Sequence, residues 1–224
     1  EIGARPNTGK TSFHASLIAA PGGFAHQGAN CIVLCNEEGY HRVGARYLTA
    51  ATGMTMREIK DNPAKARELY APVKERIKIK DATGRDMNWV ESICKSYKPD
   101  IVLLDMGDKF AKTGGFARMD EALKANAVHA RMIAKQHECA IFYMSQLSAD
   151  AEGKVLLNQS MMEGSRTGKA AEADLMVLIA KNPVIEGQDE EDNQRHLNVV
   201  KNKLTGWHGV VHCELQYQTA RYTV

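Results

Sequence analysis

Gly9-Lys10-Thr11, preceded by Gly3-Ala4-Arg5-Pro6-Asn7-Thr8, is the stretch with the clearest chemistry. A glycine there lets the backbone approach an anion, and the free N–H groups at a helix start bind it. Lysine adds a point charge on the β and γ oxygens of a nucleotide, and the threonine hydroxyl ligates Mg²⁺. The strict spacing is Gly-x4-Gly-Lys-Ser/Thr. Here Ala4 takes the first glycine's place, with Gly3 beside it. The stretch runs through Ser12 into a helix faced by Phe13, Leu17 and Ile18. Residues 4–12 therefore read as a phosphate loop for ATP and Mg²⁺, against the alternative of a chance turn.

Three further groups could complete a hydrolytic site. Asp105 closes the apolar run Ile101-Val-Leu-Leu-Asp105. A carboxylate at the carboxyl end of a buried parallel strand can hold Mg²⁺ through its water shell; alone, it could equally cap a turn. Glu37 and Glu38 follow Cys31-Ile-Val-Leu-Cys35. Glu37, at the strand tip, could orient or deprotonate an attacking water, or both acids could simply favour the next helix dipole. Gln146, after Ala140–Met144, could bond the γ-phosphate, or it could start a polar loop.

The elements that must position these groups alternate. Strands are predicted at Cys31–Cys35, Ile77–Ile79, Ile101–Asp105, Ala140–Met144 and Leu175–Ile179. Continuous apolar runs such as the third and fifth suit strands covered on both faces. Helices are predicted over Met119–His137, where Leu123, Ala127, Ala130 and Ala134 share a face, over Met87–Ser96, and in two pieces from Thr55 to Arg76 limited by Pro63 and Pro72. His196–Lys201 and Val210–Leu215, around a glycine-bearing turn, read as an antiparallel edge. The fold class is α/β: a mostly parallel sheet flanked by helices, as one domain over residues 1–224. Lys109–Arg118, Leu147–Gln159 and Pro183–Arg195 read as mobile loops. Only Glu1-Ile2-Gly3 precedes the phosphate loop, so an upstream segment is expected.

Composition narrows the class. Of 224 residues, 44% are apolar and 25% charged, which suits a globular chain. There is no spanning run and no secretory signal, so the expected location is cytoplasmic. Five cysteines without a Cys-x-x-Cys pair read as reduced, buried thiols. His208 and His212 lack Cys or acidic partners for zinc. With a net charge of +2, any nucleic-acid surface must be a local patch.

The ordered set of motifs resembles the DnaB-type replicative helicases. It comprises the loop 3–13, Met144-Ser-Gln-Leu147, Glu163-Gly-Ser-Arg166, Glu172–Ile179 and the tail Val199-Val-Lys-Asn-Lys-Leu-Thr-Gly-Trp-His-Gly209. The tail is especially similar to the helicase half of bacteriophage primase-helicases. The resemblance implies a RecA-like core in a ring, usually a hexamer, with ATP between subunits and single-stranded DNA in the channel. It implies Glu37 as catalytic carboxylate, Asp105 as second acid, Gln146 as γ-phosphate sensor, and 147–162 and 109–118 as channel loops. It also implies a primase, polymerase or loader as further partner, and a primase or linker region upstream. The family's tail carries Lys-x-Arg, whose arginine enters the neighbour's site. This chain has Lys201-Asn-Lys203, so either Lys203 serves or the finger has moved to Arg195. Lys181 and Tyr217 are candidates for the adenine pocket, and Lys154, Arg166 and Lys169 for DNA contacts. A RecA-like recombinase without unwinding, or a non-hydrolysing scaffold or loader subunit, are the competing readings.

Overall fold

The computed structural model describes residues 1–112, 118–164, 168–183 and 192–224. Strands β1 (Ile2–Ala4), β2 (Cys31–Cys35), β3 (Ile77–Asp81), β4 (Ile101–Asp105), β5 (Ala140–Gln146) and β6 (Leu175–Lys181) form the parallel part of one sheet. Antiparallel strands β7 (Gln194–Asn202), β8 (Gly209–Gln216) and β9 (Arg221–Thr223) extend it, giving the order β3-β2-β4-β5-β1-β6-β7-β8-β9. The helices are α1 (Lys10–Ala19), α2 (Tyr40–Thr52), α3 (Met56–Asp61), α4 (Pro63–Lys74), α5 (Met87–Tyr97), α6 (Met119–Gln136) and α7 (Gly168–Glu172).

The apolar runs are continuous because alternate residues serve two cores. Cys31, Val33 and Cys35 of β2, with Ile101 and Leu103 of β4, pack with residues of α1 and α2. Ile32 and Leu34, with Val102 and Leu104, pack on the other side with residues of α5 and α6. All five residues of each strand are buried, as expected of parallel strands sandwiched by helices. No helix among the described residues is long and apolar enough to cross a membrane. All five cysteines are free and buried.

Four expectations change. β5 runs on to Gln146, which pairs with Ala4 inside the sheet and so does not start a loop. Pro72 does not end α4; it sits inside the last turn, and the helix runs on to Lys74. A third edge strand, β9, pairs with β8. Residues 147–162 are packed: Leu147, Ala151, Leu157, Met161 and Met162 join Met176 and Leu178 in a third core. Half of Lys109–Arg118 and most of Pro183–Arg195 lie outside the described residues.

Candidate nucleotide site

Parallel pairing brings the carboxyl ends of β1, β2, β4 and β5 to one edge, and the candidate groups lie there. β1 delivers the loop 5–9, and α1 begins at Lys10 with Gly9 as N-cap. No side chain caps α1 and no acid lies in its first turn, so its end suits an anion. Asn7 (φ 58°) and Gly9 (φ 102°) are left-handed. A Cβ on Gly9 would also meet the tips of two side chains, Leu215 at 2.6 Å and the Tyr222 hydroxyl at 2.7 Å, which would have to shift. Ala4 is a buried strand residue rather than part of the cradle. Gly3 is closely packed: a Cβ there would meet the methyls of Leu178 and Leu147 at 2.8 and 2.9 Å, so both would have to shift.

Lys10 Nζ lies 3.4 Å from Glu37 Oε2 and touches the Met106 sulfur. Lys109 Nζ lies 3.1 Å from Glu37 Oε1. Partial burial works against the Glu37 charge, but Lys10 and Lys109 outweigh it and hold the carboxyl below its ordinary value. Asp105 is different. Burial pushes it up to about 6, with Lys10 pulling it down and Glu37 adding to the rise. Neither of its oxygens has a partner. His14 Nε2 is 3.9 Å away, but burial above all, then Lys10 and Arg46, lowers that histidine to about 3, so it stays neutral. Two orphaned buried oxygens beside Lys10 fit a divalent cation shared with the Thr11 hydroxyl and phosphate oxygens. Among the described residues there is no cluster of three His, Cys, Asp or Glu that could hold a metal ion.

The remaining candidates divide. Arg5 Nε donates to Glu152 Oε2 at 2.9 Å and Nη1 to the Leu147 carbonyl at 3.0 Å, tying the phosphate loop to 147–162. Lys154 is exposed on that segment. Lys169 is fully buried, with Nζ at 2.8 and 3.0 Å from the Asp108 oxygens and 3.4 Å from Ser145 Oγ. That burial does not fit a DNA contact. Arg166 lies outside the described residues. Lys203 is half-exposed, 3.7 Å from Asp174 Oδ1, and Lys201 Nζ donates to the carbonyl of Ala170 in α7.

Arg195 is buried within its own subunit, so it cannot be a displaced finger reaching a neighbour. Its guanidinium lies 5.3 Å from the Tyr217 ring centre. The cation on that ring is thus Arg195, while Lys181 sits at the end of β6, paired in register with Arg195. Sequence reasoning missed Lys109 and Asp108, whose only signal was their place just after the Asp105 strand.

Against known proteins, the sequence pattern described as "DnaB-like helicase C terminal domain" matches residues 1–224. A search of curated proteins returns no match. Among solved structures, one described as an ATPase domain superposes with a TM-score of 0.84 at 18% identity, covering 99% of this chain and 82% of the other. "The Structure Of A DnaB-Like Replicative Helicase And Its Interactions With Primase" gives 0.84 at 17% identity, covering 99% of this chain and 56% of that one. At such identities these likenesses show the RecA-like fold alone.

Proposed function

We propose, for a chain that belongs to the DnaB-like helicase C-terminal domain family, that it is the ATP-driven motor of a ring helicase which threads single-stranded DNA and separates duplex. The observation that carries the reading is the convergence of Lys10, Glu37 and Asp105 on one sheet edge, with Lys10 3.4 Å from Glu37. In this reading the 5–12 backbone and Lys10 bind the phosphates, and Thr11 and Asp105 hold Mg²⁺. The ion supplies charge neutralisation on the phosphate oxygens. Glu37 orients the attacking water, and Gln146, beside Ala4 in the sheet, senses the γ-phosphate. Lys154 contacts DNA on a segment repeated around the ring, which lets a subunit of net charge +2 bind a polyanion. Lys181 and Tyr217 border the adenine. The whole protein is taken to act in the cytoplasm as a hexamer, and the relative described with primase makes a primase the first partner to test.

A second reading, a subunit that binds ATP only to assemble, draws on Lys201-Asn-Lys203 and on the burial of Arg195, which leave no described arginine free to act as finger at those positions. One experiment separates them. The full-length protein should hydrolyse ATP faster with single-stranded DNA and open a forked duplex, and Lys10→Ala should do neither. DNA-stimulated hydrolysis without strand separation would leave a recombinase-like ATPase; rings without hydrolysis would leave the scaffold.

A further inference from the structure

Arg195 is among the largest fully buried side chains of the molecule. Its Nε donates to the Thr8 carbonyl at 2.8 Å, and its Nη1 to the carbonyls of Asp192 and Gln194 at 2.7 and 2.5 Å. Its Nη2 donates to the Tyr217 hydroxyl. These partners are all neutral. The nearest carboxylate oxygen among the described residues, Asp192 Oδ2, is 4.0 Å away. A buried guanidinium whose hydrogen bonds all go to neutral groups, with its described counter-charge 4.0 Å off, is costly. The guanidinium therefore calls for an explanation beyond packing.

The Thr8 bond supplies one. In a trans peptide the carbonyl and the following N–H point in opposite directions. Drawing the Thr8 carbonyl back into the protein turns the Gly9 N–H the other way, toward the seat in front of α1. A hydrogen bond from a charged donor also polarises the peptide and strengthens its N–H as a donor. From β9, the Tyr222 hydroxyl bonds the next carbonyl, that of Gly9, at 3.2 Å. The antiparallel edge thus holds two successive peptides of the loop from behind.

We infer that Arg195 is a positioning residue for nucleotide phosphates: a buried cation on β7 that fixes the Thr8–Gly9 peptide behind the phosphate loop. This rests on the reading of residues 5–12 as a nucleotide site. It makes the C-terminal edge strands part of that site.

The test compares wild type, Arg195→Gln and Arg195→Lys in the full-length protein. Calorimetry gives ATP and ADP affinity, and steady-state hydrolysis gives KM and kcat. Losing a charged hydrogen bond to the loop should weaken ATP and ADP binding by about ten- to a hundredfold in Arg195→Gln. The lysine variant keeps the charge without the planar fork and should fall between. Because Arg195 touches no reacting atom, kcat at saturating ATP should stay within about threefold while KM rises; a purely structural role would lower kcat and affinity together. Nucleotide affinity within about twofold of wild type in folded Arg195→Gln overturns the inference, as does a fall in kcat at unchanged affinity. Should the glutamine variant not fold, unchanged affinity in Arg195→Lys overturns it. If wild type itself binds no nucleotide, the reading of the loop fails instead.

Discussion

Glu37 is gripped on both oxygens, by Lys10 on one and Lys109 on the other. That grip decides what sort of catalyst it can be. A proton-abstracting base works best with a pKa near the working pH, whereas these lysines hold Glu37 below its ordinary value. It suits orienting a water by charge better than removing its proton. Glu37→Gln should lower kcat by about 10²–10⁴-fold and leave nucleotide affinity nearly unchanged, as phosphate release and calorimetry would show. Lys109→Met removes one of the groups that depress Glu37, so the carboxyl titrates at higher pH. The acid limb of the kcat–pH profile should then move upward; an unmoved limb would mean that Glu37 does not govern it. Glu37 and Asp105 were legible in the sequence because each stands where a buried apolar run ends, and Lys10 because Gly9-Lys10-Thr11 opens a helix. Lys169 and Arg195 were not. A sequence displays a cation's charge but not its burial, and both were read as groups reaching outward when they serve the interior.

Among the elements, the segment 147–162 joins the phosphate loop to the proposed DNA contact. Its start extends the sheet, with Leu147 N donating to the Ala4 carbonyl at 3.1 Å, and Arg5 then ties Leu147 and Glu152 to the loop. The Arg5–Glu152 pair is half open to solvent and should contribute only about 0.2–1 kcal/mol to stability. Its consequence lies in coupling: a shift of the phosphate loop pulls on the segment that carries Lys154. Glu152→Gln should keep basal hydrolysis and fold stability but lose most of the stimulation by single-stranded DNA. Exchanging the two charges, with Arg5→Glu and Glu152→Arg together, should recover part of it relative to Arg5→Glu alone. Equal stimulation in wild type and Glu152→Gln would remove the link. The parallel strands were legible because alternate residues feed two cores, which writes an unbroken apolar run. This segment was not, because Leu147, Ala151, Leu157 and Met161 enter the third core at irregular spacing, a pattern that reads as a mobile loop.

At the scale of the whole molecule, the tail position where the resemblance implies an arginine finger carries Lys203. Lys203 stands in the turn after β7, on the antiparallel extension, and its described partner is Asp174 at 3.7 Å. A half-exposed lysine held by one carboxylate can be drawn away by a stronger anion, and a nucleotide bound to the adjoining subunit would be one. If Lys203 acts across the ring, Lys203→Ala subunits should poison wild-type subunits. Hydrolysis by mixed rings should fall more steeply than in proportion to the mutant fraction, because each altered subunit disables its neighbour's intact site. A strictly proportional fall would confine Lys203 to its own subunit and remove the finger role. The exchange also has a productive direction. An arginine finger can contribute about 10³–10⁵ in rate, and lysine provides its charge without its planar fork. Lys203→Arg should therefore raise kcat at unchanged KM. The gain should vanish when the neighbouring subunit carries Lys10→Ala, since the new fork would then have no phosphate to meet.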